Sequence, residues 1–188
     1  MRRVLLCGML AAAWGALAAV PQFQLRDAQG ATHSNAEWRG QKAILLFFVT
    51  TDCPVANGYV PEMNRIHEAY GPRGVEVYAV QAETTVPDAD VSRYAKDYRY
   101  GFPLLLDPHQ VLVQLSGATV TPQAAVLSPE GTVLYLGRID NRVEDFGKQR
   151  PQATVPDLRN ALDAVLAGKP VAQARTKSIG CAINLVRR

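Results

Sequence analysis

Two cysteines frame the chemistry this chain can do. Cys53 lies in "TTDCPVANGYVPE", between the apolar run "KAILLFFV" and a segment with helical periodicity, and Cys181 lies near the C-terminus in "TKSIGCAI". A thiol at a helix start meets unpaired backbone N–H groups and the positive end of the helix dipole, and both favour the nucleophilic thiolate. Asp52 next door works against that. A buried, inert cysteine is the alternative, since free cysteine is among the most buried residue types. The polar neighbours Thr50, Thr51, Asp52 and Asn57 favour chemistry instead. Position 56 is alanine, so no C-x-x-C pair is formed, and Cys181 is the other thiol able to resolve a mixed disulfide within the chain. A permanent Cys53–Cys181 clasp is the competing reading; in the chain-entropy model it stabilises by about 4–5 kcal/mol.

The remaining cysteine, Cys7, falls in an N-terminal segment that reads as an export signal. Met1-Arg2-Arg3 is positive, Val4 to Trp14 is apolar, and Ala16-Leu17-Ala18 is a small-x-small cleavage site. Residues 1–18 are therefore expected to be removed, leaving a periplasmic or extracellular protein with no stable membrane insertion. In an oxidising compartment, the surviving pair of cysteines suits disulfide chemistry.

The elements that must position these thiols follow from pattern. With 188 residues, 48% of them apolar, the chain can build one well-filled domain. The net charge of +3 comes without a basic stripe, which argues against nucleic acid as a partner. "FQLRDAQGATHS" predicts a short hairpin, and Asn35 to Arg39 one helical turn. Lys42 to Thr50 predicts a strand buried on both faces, and Val75 to Glu83 a second. Between them, Val55, Tyr59, Val60, Met63, Ile66 and Tyr70 mark a helix stopped by Gly71-Pro72 and kinked at Pro61. Asp88 to Tyr100 predicts another helix, Phe102 to Asp107 an extended piece, and Pro108 to Leu115 a short helix opened by proline. Gln123 to Gly137 is a hairpin, followed by a loop of mixed charge. Thr154-x-x-Asp157 opens a last helix closed by Gly168. The tail, 169–188, has no periodicity. Strands alternating with helices give an α/β class, a mixed central sheet flanked by helices on both faces.

Strand, Cys53-Pro54, helix with Pro61, and a late Thr121-Pro122 ahead of a hairpin together resemble the thioredoxin fold, over roughly Pro21 to Gly168. Within it, "FPLLLDPHQVLVQLSGATVTPQAAVLSPEG" is similar to exported redoxins, the TlpA-type thiol oxidoreductases and the peroxiredoxins grouped as AhpC/TSA. "CPVAN", "GRIDNR" and "TKSIGCAI" resemble a subgroup of redoxin-domain proteins. The resemblance implies a domain over 19–168 followed by a tail carrying Cys181. It also implies a cis Thr121–Pro122 bond and a Val120-Thr121 backbone edge that holds the partner of a mixed disulfide.

The site then comprises Cys53 as nucleophile, Cys181 as resolving thiol, Pro122 and Thr121 shaping the groove, and Thr50 and Asn57 polarising it. No cofactor is called for. The partners are protein or small-molecule thiols and disulfides, with an external thiol as reductant. Two departures define the alternatives. A peroxiredoxin, acting on peroxide, would carry P-x-x-x-T-x-x-C, whereas Leu46 stands at the proline position, and no arginine opens the hairpin; Arg138 and Arg142 are the substitutes to examine. A Cu(I) chaperone would carry C-x-x-x-C, and His33, His67 and His109 show no ligand spacing. A non-catalytic module with a static disulfide is the third alternative.

Overall fold

The computed structural model describes residue 20 and residues 22–186; the expected signal segment lies outside the described residues. Among the described residues no helix is long and apolar enough to cross a membrane. A five-stranded sheet in the order β5-β4-β3-β7-β8 forms the centre. β3 (Ala43–Val49) is its middle strand, buried along its whole length. It pairs in parallel with β4 (Val75–Gln81), which pairs in parallel with β5 (Leu104–Leu106). On its other side β7 (Gln123–Leu127) runs antiparallel and hairpins to β8 (Val133–Gly137).

Because successive side chains of a strand alternate faces, β3 divides the core in two. Leu45, Phe47 and Val49 pack under α1 (Pro54–Tyr70), α2 (Asp88–Asp97) and α4 (Asp157–Leu166). Ile44, Leu46 and Phe48 meet Trp38, Leu112 and Val113, the last two from α3 (Val111–Ser116). Among the described residues helices therefore cover both faces, three α-helices on one and the short α3 with the 3-10 turn Asn35–Trp38 on the other. The second face is completed by the N-terminal hairpin of β1 (Gln24–Arg26) and β2 (Thr32–Ser34), which contributes Leu25.

That hairpin is fastened by His33, whose ring bridges Asp27 (3.1 Å) and Glu37 (2.9 Å), while the Tyr78 hydroxyl donates to Glu37 at 2.6 Å. Burial opposes protonation of His33, but the hydrogen bonds and charges of Glu37 and Asp27 outweigh it and raise the pKa above 6.5. Burial likewise pushes the Asp27 and Glu37 carboxyls up, and their hydrogen bonds more than reverse that, so both end below their ordinary range. A raised histidine stabilises fully below its unfolded pKa and loses that contribution as pH rises through the folded one. The two lowered carboxyls contribute above their unfolded values, 3.8 and 4.5, and lose it as pH falls through the folded ones. Urea unfolding should therefore show wild type losing stability as pH rises above 6.5 by more than His33→Gln does. Parallel pH curves for the two proteins would exclude this role.

Several elements depart from their sequence expectation for identifiable reasons. α1, by contrast, runs as expected as one helix with Pro61 inside it. α2 ends at Asp97 rather than Tyr100. Arg99 takes a left-handed backbone, and the Asn64 side chain binds Arg99 O and Gly101 N across the turn. α3 starts at Val111, not Pro108: the buried Asp107 carboxylate accepts from the backbone N–H of Val111, Leu112 and Val113. Thr154 does not cap α4. Its hydroxyl accepts from Asn141, and Asp157 pairs with Arg138 at 2.7 Å. The mixed-charge loop holds a small hairpin, β9 (Val143–Asp145) with β10 (Lys148–Gln149).

The tail differs most. It runs beside β8, with Leu136 N donating to Ala174 O at 2.9 Å. Gly137 and Thr176 approach so closely there that a Cβ on Gly137 would overlap the Thr176 hydroxyl. The tail then crosses the sheet end as β11 (Cys181–Ala182), paired antiparallel with β6 (Val120–Thr121).

Candidate functional site

Cys53 is the N-cap of α1, with Pro54 in the first turn, where its fixed φ suits the helix and its missing N–H removes no bond. The β3–β7 register sets Phe48 opposite Gln123. That delivers the two residues before Gln123 to the loop holding Cys53. The Thr121–Pro122 bond is cis, as the resemblance implied. Cys53 is 0% exposed, and its Sγ lies 3.1 Å from Thr121 O. Cys181, partly exposed, is the strand partner of that same Thr121. Four of the six expected site residues (Cys53, Thr121, Pro122 and Cys181) thus meet at one point.

Both cysteines are free thiols, and their proton affinities are driven apart. Burial pushes the Cys53 thiol up, yet hydrogen bonds from the Cys181 thiol, the Ala56 N–H, the Thr121 hydroxyl and the Cys181 N–H more than compensate, leaving its pKa below the ordinary 9.0. Cys181 is pushed up to about 12 by burial and by the neighbouring Cys53, with Asp52 adding to the effect. Cys53 is thus the thiol that ionises first, and Cys181 the one that keeps its proton beside it. The Thr121 hydroxyl is buried and without a hydrogen-bond partner while Cys53 is a thiol, so the ionised sulfur is the group it can serve. Thr121→Val should consequently raise the Cys53 pKa, moving the midpoint of its iodoacetamide rate–pH profile upward by up to about one unit. An unshifted profile would remove Thr121 from the electrostatics of the site.

Thr50 and Asn57 act differently from expectation, since neither is bonded to the sulfur. Thr50 donates to Asp52 at 2.9 Å, and its carbonyl receives the Cys53 N–H. Asn57 donates to Thr51 O and to the Tyr98 hydroxyl and accepts from Tyr94 at 2.8 Å. They hold the loop and the helix start. The tyrosine group that Asn57 joins, completed by Tyr100 at 3.0 Å from Tyr94, was not foreseen from sequence. Its signal was the aromatic spacing in "YAKDYRY".

On the opposite flank Tyr59 donates to Asp140 at 2.6 Å, and the Arg142 guanidinium stacks 4.3 Å over the Tyr59 ring while donating to Gly58 O. Arg138 forks onto Asp157. The two candidate substitutes for a peroxidatic arginine thus bond elsewhere. Among the described residues no three histidine, cysteine or acidic side chains gather as a metal site.

The AhpC/TSA family model matches residues 17–136, ending at Leu136 in β8. The chain belongs to that family. As a family member it is similar to the thiol-disulfide oxidoreductase ResA of Halalkalibacterium halodurans, 28% identical over 127 residues, 66% of this chain and 70% of the relative. ResA of Geobacillus thermodenitrificans is 29% identical over 113 residues, 60% of this chain and 63% of that relative's length. The chain therefore spans somewhat under or just over two thirds of these relatives. Among solved structures, a hypothetical protein from Sinorhizobium meliloti 1021 is 30% identical, with a TM-score of 0.75 covering 90% of this chain and 94% of the other. The family match ends well before Cys181, so the tail that completes the site lies outside it.

Proposed function

We propose that this AhpC/TSA family member is an exported thiol–disulfide oxidoreductase whose redox couple is Cys53 and Cys181. The observation that carries the reading is the convergence on Thr121: Cys53 Sγ reaches its carbonyl while Cys181 pairs with its backbone. The relatives' activity supports the same class. The chemistry balances without a cofactor. The Cys53 thiolate attacks one sulfur of a partner disulfide, forming a mixed disulfide and releasing the partner's other thiolate. Loss of the Cys53 charge then relieves the Coulomb penalty on Cys181, whose thiol gives its proton to the departing thiolate and attacks Cys53. The partner's second sulfur leaves as a thiolate that takes a proton from solvent, so the partner departs as a dithiol, and the Cys53–Cys181 disulfide awaits an external thiol. Cys181→Ser, incubated with a peptide disulfide, should accumulate mixed disulfide at Cys53. Its absence, with turnover retained, would argue that an external thiol does the resolving.

Export is part of the same reading, supported by the charged and apolar N-terminus. Exported protein should begin near Ala19 and lack Cys7; N-terminal sequencing that returned Met1 would favour an uncleaved anchor instead.

A further inference from the structure

The strand edge that the proposed function would offer to a partner polypeptide is already filled. Cys181 opposes Thr121, Ala182 opposes Val120, and Ile183 N donates to Thr119 O at 2.9 Å. The tail is latched beyond that point. The fully buried Gln110 donates to Asn184 O at 2.9 Å and accepts from Val186 N at 2.8 Å, and Asn184 donates to Glu83 at 2.8 Å. Gly180 is what allows so close a fit. A Cβ there would collide with the Thr121 carbonyl and press on Pro122. With the tail so placed Cys53 has no exposed surface, whereas Cys181 keeps some.

Disulfide exchange requires an attacking thiolate to line up behind the sulfur it attacks, so access decides which sulfur reacts. Cys53 is fully enclosed in the cluster that α1 and β3 build, whereas Cys181 packs at the edge of the same cluster and keeps partial exposure. We propose, building on the Cys53–Cys181 couple, that the external thiol reductant attacks that disulfide at Cys181, and that Cys53 is the internal leaving thiolate, exchanging with a partner only when the tail lifts. The steps balance: the reductant's thiolate bonds to Cys181 sulfur as the Cys53–Cys181 bond breaks and Cys53 departs as thiolate. A second reductant thiolate then attacks the first reductant sulfur, yielding the oxidised reductant and a Cys181 thiolate that takes a proton. The leaving-group preference agrees, since Cys53 holds the lower proton affinity of the two. The tail and an extended polypeptide partner would then alternate on one edge, and the thiols served with the tail docked are small or flexible ones.

The test uses full-length protein oxidised to the internal disulfide and mixed with excess reduced glutathione, acid-quenched at short times and peptide-mapped. Glutathione is expected on Cys181 with Cys53 a free thiol. Glutathione on Cys53 with Cys181 free would overturn the inference while leaving the redox couple intact. Oxidised protein with no internal disulfide would overturn both. Gly180→Ala should speed iodoacetamide alkylation of Cys53 in reduced protein at least about tenfold and let glutathione reach both sulfurs. Asn184→Ala, which removes only the exposed bond to Glu83, provides a second opening should Gly180→Ala fail to fold. Unchanged protection of Cys53 in the folded variants would overturn the shielding role of the tail.

Discussion

Cys53→Ser is expected to reduce thiol–disulfide exchange at least about a thousandfold, because a serine hydroxyl at neutral pH supplies neither the anion nor the polarisable nucleophile. The exchange of sulfur for oxygen is nearly isosteric, so the fold should persist and unfolding curves should stay close to wild type. Cys181→Ser should behave otherwise. Its first turnover survives, because Cys53 still attacks, while steady-state turnover falls to the rate at which an outside thiol resolves the mixed disulfide. Assaying burst and steady-state phases separately distinguishes the two. Equal loss in both phases for both variants would indicate a static clasp, and Cys181→Ser would then lower stability without a distinct kinetic signature.

Asp107→Ala should be among the most destabilising polar substitutions, at about 3 kcal/mol. Its carboxylate receives three backbone N–H groups at 2.7, 2.9 and 3.3 Å at a buried helix start, and alanine leaves those donors without partners. Asp107→Asn keeps an acceptor and should lose less. The consequence reaches the site, because Gln110, the residue just ahead of α3, holds the tail on both sides of Leu185. Urea titration should show a lower midpoint at similar slope. Iodoacetamide should reach Cys53 faster in the same variant at urea concentrations where both proteins remain folded. A midpoint within about 0.5 kcal/mol of wild type would mean that the three N–H groups find other partners.

The central strands were legible because their signal is their own composition. "AILLFFV" can be buried only on both faces, and the turn residues Ser128 to Gly131 fix the hairpin behind it. α1 was legible from its apolar period, and so was the place of Cys53 at the helix start. What stayed hidden is settled by burial and by particular partners rather than by local propensity. Asp107 caps α3 across Pro108, His109 and a left-handed Gln110, a local arrangement settled by burial rather than propensity. Asn141, in "RIDNR", holds the entrance to α4 by binding Thr154 and Val155 at once, so the expected capping role of Thr154 was displaced. The tail had no periodicity to read, because its order comes from β6, β8 and Gln110 and from single polar contacts of Thr176 and Asn184 with distant residues. Gly180 looks like any loop glycine until the Thr121 carbonyl is set against it. Thr50 and Asn57 were recognised as polar neighbours of the thiol, but sequence could not show that their hydrogen bonds run to Asp52 and to the tyrosines.

A redox titration of the full chain against glutathione buffers, with each point acid-quenched and mapped by mass, tests the central claim most directly. The account predicts one two-electron transition in which Cys53 and Cys181 pass together from free thiols to a single internal disulfide, fully reversed by dithiothreitol. Two thiols that stay free into the oxidising range, or a stable glutathione adduct on Cys53 beside an unmodified Cys181, would contradict it.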